Sequence, residues 1–344
     1  MIAVFWLSAL VFCASFILTW ALRRYALHRD LIDIPNARSS HVEPTPRGGG
    51  VAIVVSLLAA LPLISWLGLI PWPAMWGLWG AGCGVAIVGF LDDHGHIPAR
   101  WRLLGHFLAA AWVLFWLGGF PSLELFGLTL DLGWWGHTLA AIWLAWHLNL
   151  YNFMDGIDGI AGVEAMTACL GAAMIYALLG LSGDTLVPVL LAASVAGFLI
   201  WNFPTARIFM GDAGSGFLGI TLGAFTIQAA WVAPQLLWCW LILLGVFIVD
   251  ATWTLMRRLS RGVKVYEAHR SHAYQIASRR LGAHLPVTLG VLAVNVMWLL
   301  PIALAVGLNW LDGTVGLAIA YAPLVWVVVR LKAGQPEDLL SNAG

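Results

Sequence analysis

The sequence predicts an all-α, polytopic integral membrane protein with about eleven transmembrane helices, the N-terminus outside and the C-terminus cytoplasmic. Three observations carry that expectation. Hydrophobic residues make up 61% of the 344-residue chain and charged residues only 10%, against about 25% charged in soluble domains, and the mean hydropathy is +0.88. Apolar runs of the roughly 20 residues that cross a bilayer recur from end to end, at 2–22, 49–69, 74–91, 103–119, 134–152, 160–181, 184–203, 214–233, 235–256, 285–307 and 314–329. All 17 Lys and Arg residues then fall in the odd-numbered loops or the C-terminal tail, which the positive-inside rule makes cytoplasmic. A miscounted helix would have scattered them over both faces. The same composition excludes disordered, collagen-like and disulfide-scaffold chains. A net charge of +0 gives no general attraction to nucleic acid.

The first run has no basic leading segment and no small-residue cleavage site, and it passes directly into Arg23 and Arg24. It therefore reads as a retained spanning helix and not as a removed leader. Loop 23–48 is stiffened by Pro35, Pro44 and Pro46 and carries Asp33, Asn36, Arg38, Ser39, Ser40, His41 and Arg47. Gly48, Gly49 and Gly50 open the second run, where their N–H groups beside Arg47 make either an anion cradle or a plain loop-to-helix junction. After the third run, loop 92–102 begins Asp92-Asp93-His94-Gly95-His96. Adjacent carboxylates repel, so at a membrane interface they cost stability unless a cation or a proton-transfer task compensates. Taken alone, the pair is more simply a solvated helix end. Between the fourth and fifth runs, residues 122–131 alternate weakly and predict a small hairpin.

The fifth run ends in Asn149, Asn152, Asp155 and Asp158 at successive i+3 positions. Each step turns about 60° back round a helix, so the four share one half of it if the helix persists. Gly156 and Gly159 follow the two aspartates and let the backbone turn there. A polar helix interface explains the asparagines, but not two glycine-flanked carboxylates without a basic residue between Arg102 and Arg207. Loop 204–213 leads through Arg207 to Gly211-Asp212 and the small residues 213–216. Asp212 is a candidate N-cap for the eighth run; equally, it suits a Mg²⁺ ion held by few protein oxygens and a substrate phosphate at a helix N-terminus. Asp250 lies inside the ninth run, about 10 Å of helix rise before Arg257, where a carboxylate needs a partner or a task. Topology accounts for Arg257, Arg258, Arg279 and Arg280 in loop 257–284. The loop also carries Lys264 and Glu267, and its central cluster of His269, Arg270, Ser271 and His272 is suited to holding a diphosphate. Cys13, Cys83, Cys169 and Cys239 sit in apolar runs without metal-ligand spacing, so no disulfide or zinc site is expected.

Together these features describe one membrane-embedded domain, 1–344, with its polar chemistry on cytoplasmic loops 23–48, 92–102, 153–159, 204–213 and 257–284. Carboxylates for a divalent cation beside basic groups for phosphate indicate phosphoryl transfer on an anionic substrate.

The motifs PTPRGGG at 44–50, DD at 92–93, NxxNxxDGxDG at 149–159, FMGDAGS at 209–215 and the histidine loop at 269–272 make the chain resemble the polyprenyl-phosphate N-acetylhexosamine-1-phosphate transferases, glycosyltransferase family 4. The resemblance runs from about Asp33 to Gln275, and the ordered set is specific where any single motif is weak. It implies transfer of a sugar-1-phosphate from a UDP-N-acetylhexosamine to undecaprenyl phosphate with release of UMP, in a bacterial inner membrane. It further implies that Asp212 and Asn152 hold Mg²⁺, with Mn²⁺ able to substitute. Asp92 and Asp93 would either deprotonate the lipid phosphate or assist the metal. Asp155 and Asp158 would shape the nucleotide pocket, and Arg47, Asn149, His269, Arg270 and His272 would bind substrate. Membrane lipid is the surrounding partner, a homodimer is compatible with the pattern, and nucleic acid is not expected.

The histidine loop reads His-Arg-Ser-His-Ala-Tyr-Gln at 269–275, without the adjacent histidines of the phospho-N-acetylmuramoyl-pentapeptide transferases. It is similar to O-antigen initiating enzymes that use UDP-GlcNAc or a 6-deoxy relative such as UDP-FucNAc or UDP-QuiNAc. The competing expectations are a transporter, which would place its ionisable residues near the bilayer midplane, and a CDP-alcohol phosphotransferase, whose pattern needs Ala-Arg where Ala161 is followed by Gly162.

Overall fold

The computed structural model describes residues 2–29, 31–35, 43–95, 97–263 and 269–336. The chain is helical throughout, and each of the eleven apolar runs is occupied by helix. After α1 (Ile2–His28), a two-residue ladder joins β1 (Ile32–Asp33) antiparallel to β2 (Thr45–Pro46). Then follow α2 (Val51–Trp66), α3 (Trp72–His94) and α4 (Ala99–Leu117). The expected hairpin forms from β3 (Leu123–Leu125) and β4 (Leu128–Leu130). The chain continues through α5 (Gly133–Met154), α6 (Ile160–Leu178), α7 (Leu186–Asn202), α8 (Asp212–Val232), α9 (Pro234–Leu243) and α10 (Gly245–Leu259). A short α11 (Ala273–Leu281) precedes α12 (Leu285–Val294), a π-turn (Asn295–Leu299), α13 (Leu300–Gly307) and α14 (Gly313–Arg330).

Among the described residues, six helical segments are long and apolar enough to cross a membrane: Val4–His28, Trp72–His94, Ile160–Leu178, Asp212–Val232, Leu285–Gly307 and Gly313–Arg330. The pair α9 and α10 makes a seventh if it is one bent crossing. The shortfall from eleven has local causes. Helices α2 and α7 are apolar but only 16 and 17 residues long. Polar side chains such as Arg100, Arg102 and His106 on α4, and His147, Asn149 and Asn152 on α5, dilute the apolar character of the other two.

The ninth run is not one straight helix, as its length suggests, but two, bent by 72° at Leu244. No proline sits at the break. The fully buried Glu164 of α6 faces the first turn of α10 near Phe247, where a helix has unpaired N–H groups that favour a carboxylate. The same carboxylate accepts 2.7 Å from Asn295 Nδ2, and Asn295 is the residue that opens the π-turn.

Helix α8 is the most enclosed of the candidate spans and packs against α3, α5 and α9. Gly89 permits the closest approach: a Cβ there would stand 2.6 Å from the backbone of Asp212 and Ala213, so the end of α3 lies directly against the start of α8. Exposed Trp66, Trp72, Trp134, Trp135 and Trp310 mark the opposite end of the bundle, where Trp231 and Trp238 donate to backbone carbonyls at Gly119 and Glu124.

Candidate active site

Where α3 ends, its two carboxylates diverge as adjacent helical side chains must. Asp93 accepts the amides of Asp212 at 3.1 Å and Ala213 at 3.4 Å and so caps α8 from another helix. Asp212 is therefore the first residue of α8 and not its cap. Arg47, placed by the β1–β2 ladder, reaches Asp93 Oδ1 at 2.6 Å and Asp212 Oδ1 at 2.9 Å with one nitrogen. Burial works against the Arg47 charge, yet Asp93, Asp212 and Asp33 together raise its pKa above the ordinary value. Asp92 turns the other way, accepting 2.8 Å from the Ile97 amide and pairing with Arg102. Arg102 also stands 3.9 Å from Asp212 Oδ2. Three carboxylates and two guanidinium groups thus form one chain of ion pairs.

The backbone amides expected to cradle an anion are otherwise engaged. Gly49 and Gly50 donate to the carbonyls of Phe209 and Met210, both at 2.8 Å, which docks the glycine run onto the loop before α8. The first amides of α8 are taken by Asp93, so that helix N-terminus is already satisfied from within the protein.

Helix α5 ends at Met154, so the expected single polar face is divided. Asn149 and Asn152 remain on the helix, Asp155 is at its C-cap, and Asp158 lies in the following turn. Asn152 Oδ1 accepts 2.8 Å from Ser215 Oγ on α8. Asn149 Nδ2 donates to Ala145 O and stands 3.1 Å from His106 Nδ1. Burial, reinforced by the charge of Asp212, holds the Asp155 carboxyl well above the usual carboxylate range. Asp158 is buried and faces elsewhere: it accepts 2.9 Å from the Ala206 amide and lies 3.0 Å from His284 Nδ1.

Two large cavities lie on this side of the molecule, and residues of the cluster line the first of them. The first, ≈ 520 Å³, has Asp92, Arg102, His106, Asn149, Asn152 and Asp212 on one side and Val85, Val88, Leu103, Trp146, Phe153 and Leu255 on the other. The second, ≈ 490 Å³, is lined by Thr45, Asp158, Ala206, Phe209, Arg279 and His284 among others. Asp155 and Asp158 therefore do not share one wall, and Asp158 belongs to the second cavity.

The histidine loop reaches the cluster through Phe153, which lines the first cavity and stacks on His272 at 6.4 Å between ring centres. Asp250 has the partner its depth requires, though it is not Arg257. It accepts the amides of Ala273 at 2.9 Å and Tyr274 at 3.0 Å, capping α11, and lies 3.4 Å from His272 Nδ1. His272 is itself buried at the N-cap of α11, in a capping box with Gln275, so it supports the loop and is not displayed for substrate. His269, half-buried, stacks on it at 4.9 Å and pairs with Ser271 Oγ. Burial first and His272 second push the His269 pKa down to about 3, so the ring is neutral at physiological pH. Arg270 is half-buried and its carbonyl accepts from Arg279. Asn36, Arg38, Ser39, Ser40, His41, His96, Lys264 and Glu267, also singled out in the sequence, lie outside the described residues.

Arg102, His106, Ser215 and Phe209 were not among the sequence candidates for the site. For Arg102 a signal existed: only four residues separate α3 from α4, so the first turn of α4 has to return beside Asp92. Phe209 and Ser215 stand at the two ends of the FMGDAGS motif, whereas His106 carried no signal, since it acts through Asn149, distant in sequence.

Among the described residues, no three His, Cys, Asp or Glu side chains form a closed metal cage. Magnesium does not require one, because it binds through one or two carboxylates with substrate phosphates and water. Asp212 and Asn152, two oxygen donors lining one cavity, are of that chemistry.

A family model described as Glycosyl transferase family 4 matches residues 75–230. The chain is 30% identical over 267 residues to a probable undecaprenyl-phosphate N-acetylglucosaminyl 1-phosphate transferase of Bacillus subtilis, covering 75% of this chain and 72% of that protein. It is 30% identical to a decaprenyl-phosphate N-acetylglucosaminephosphotransferase of Mycobacterium leprae, covering 71% and 69%. A phospho-N-acetylmuramoyl-pentapeptide-transferase of Moorella thermoacetica is 31% identical over 198 residues, 54% of this chain and 61% of that protein.

Proposed function

The chain belongs to the polyprenyl-phosphate N-acetylhexosamine-1-phosphate transferases of glycosyl transferase family 4, and on that premise we propose that it transfers N-acetylglucosamine-1-phosphate, or the 1-phosphate of a 6-deoxy relative such as FucNAc or QuiNAc, from the UDP-sugar to undecaprenyl phosphate. UMP is released, and the product starts a lipid-linked O-antigen or related surface polysaccharide. The observation that carries this reading is the Arg47–Asp93–Asp212 and Asp92–Arg102 ion-pair chain, whose Asp92, Arg102 and Asp212 line a largely apolar cavity.

The apolar cavity suits the lipid, with Arg102 at its polar end for the acceptor phosphate. The cavity beside Asp158 suits the nucleotide, with Phe209 offering a ring to the base and Asp158 held by Ala206 and His284. An oxygen of the lipid phosphate attacks the sugar-bearing phosphorus; a P–O bond forms there as the bond to the UMP oxygen breaks, and the electron pair departs with UMP. Such transfers depend mainly on positioning and charge stabilisation. Asp93 has its oxygens committed to the α8 amides and Arg47, so its role is to position Asp212. Asp212 and Asn152 would hold Mg²⁺, which when bound neutralises charge on the diphosphate. His269 and Arg270 approach the sugar-phosphate side through Phe153.

The topology belongs to the same proposal: eleven crossings, N-terminus outside, and the site on the cytoplasmic face of a bacterial inner membrane. It is supported by the one-sided distribution of basic residues and by the exposed tryptophans at the other end, which suit the opposite membrane interface. Helices shorter than the bilayer is thick fit this scheme where neighbouring helices cover them.

The test supplies purified protein, Mg²⁺ and undecaprenyl phosphate with UDP-GlcNAc, UDP-GalNAc, UDP-FucNAc, UDP-QuiNAc and UDP-MurNAc-pentapeptide in parallel. UMP, not UDP, is the expected product, and the pentapeptide donor is expected to fail. Asp212→Asn should remain folded and lose at least about 100-fold in rate, the scale of a lost electrostatic stabiliser. Release of UDP, or near-normal transfer by that variant at ordinary Mg²⁺, would refute the assignment.

A further inference from the structure

We infer that the C-terminal segment 331–335 positions the histidine loop, with Gly334 as the residue that holds it in place. After α14 the chain reverses and runs back beside the end of α10, burying Ala333 completely. Two arginines of the α10 terminus grip its backbone: Arg257 Nη1 donates to the Ala333 carbonyl at 3.1 Å and Arg261 Nη1 to the Gly334 carbonyl at 3.0 Å. The Gly334 amide then donates 2.7 Å to the carbonyl of Ser271.

Ser271 stands between Arg270 and His272, and its hydroxyl pairs with His269. The loop is therefore pinned from two sides. Asp250 holds the amides of Ala273 and Tyr274 from within the bundle, and Gly334 holds the Ser271 carbonyl from the tail. Removing the second anchor leaves the loop held by Asp250 and by the Arg279 bond to the Arg270 carbonyl, and the conformational entropy of the segment around Ser271 then opposes a single arrangement. The residue at 334 is constrained to match. Its φ is +75°, and a Cβ would lie 3.1 Å from both the Thr254 carbonyl and the Arg257 side chain. Arg257 and Arg261 thereby gain a specific role beyond the positive charge that topology alone demands of that helix end.

The inference rests on the proposed function, in which His269 and Arg270 serve the donor, so its test has one readout that needs no turnover. Gly334→Pro removes the amide and cannot adopt the positive φ; Gly334→Asn keeps the amide and tolerates that φ. In the full-length protein, Gly334→Pro should raise amide exchange across 269–275. It should also raise KM for the UDP-sugar about 3- to 10-fold, the size of one lost hydrogen bond, with kcat and the KM for undecaprenyl phosphate within about twofold. Gly334→Asn should restore much of both effects. If Gly334→Pro does not fold, Arg261→Ala, at an exposed position, should shift both readouts in the same direction by less. Unchanged exchange, or raised exchange with an unchanged donor KM, overturns the inference. Absence of turnover in the unaltered protein with every donor would instead refute the proposed function, and exchange at 269–275 would still decide whether Gly334 holds the loop.

Discussion

The carboxylate of Asp93, on the last turn of α3, accepts the amides of Asp212 and Ala213 and so caps a helix that begins 119 residues later in the chain. Its neighbour in that contact, Asp212, is thereby relieved of the capping role its own position suggests, and its second oxygen is left toward Arg102 and the apolar cavity.

Removing this cap should cost what N-caps cost. Asp93→Ala is expected to destabilise the protein by about 1–2 kcal/mol, read as a lower unfolding midpoint in detergent. Asp93→Asn should recover only part of that, because its single oxygen can take over one of the two acceptor positions while its NH2 group cannot accept the other amide, and the ion pair with Arg47 is lost. Equal midpoints for the alanine variant and the unaltered protein would show that Asp93 does not hold the start of α8.

Acid should act on the histidine loop with a definite sign. The His269 pKa is pushed down to about 3 by burial, with His272 and Arg258 reinforcing and Asp250 opposing, whereas in the unfolded chain it returns to about 6.5. Between those values the unfolded state binds the extra proton, so stability is lost as pH falls through that window and is fully present above it. His269→Gln should therefore show a smaller drop in melting temperature between neutral pH and mild acid than the unaltered protein. An identical drop would mean that His269 titrates normally in the fold.

Topology can be read by chemistry from outside the cell. In a background lacking the four native cysteines, of which Cys13 is exposed, single cysteines at Ser182 and Asn309 should react with an impermeant thiol reagent on intact cells. One at the exposed Ser260 should react only after permeabilisation. Labelling of position 260 on intact cells would reverse the orientation and remove the site from the cytoplasm.

The apolar runs were legible because burial in a membrane needs only unbroken hydrophobicity, and the polar residues stood out against it. Asp92, Asp93, Asn152 and Asp212 meet as their motifs suggest. What periodicity could not show is which carboxylate serves which partner. Asp158 and Asp250 are held in contacts with the amides of Ala206 and Ala273, 48 and 23 residues further along the chain, and His272 in a capping box of its own loop. The bend at Leu244 was hidden as well, because nothing in residues 235–256 signals it.

That bend gives α10 the mechanics of a lever with its fulcrum at Leu244. Along one stiff rod it carries Asp250, which anchors the histidine loop, Thr252, bonded to Trp146 of α5 at 3.2 Å, and Leu255, a wall of the apolar cavity. One short segment therefore braces the wall of the apolar cavity and the anchor of the histidine loop together, so any substitution that altered the angle at Leu244 would displace Leu255 and Asp250 in concert.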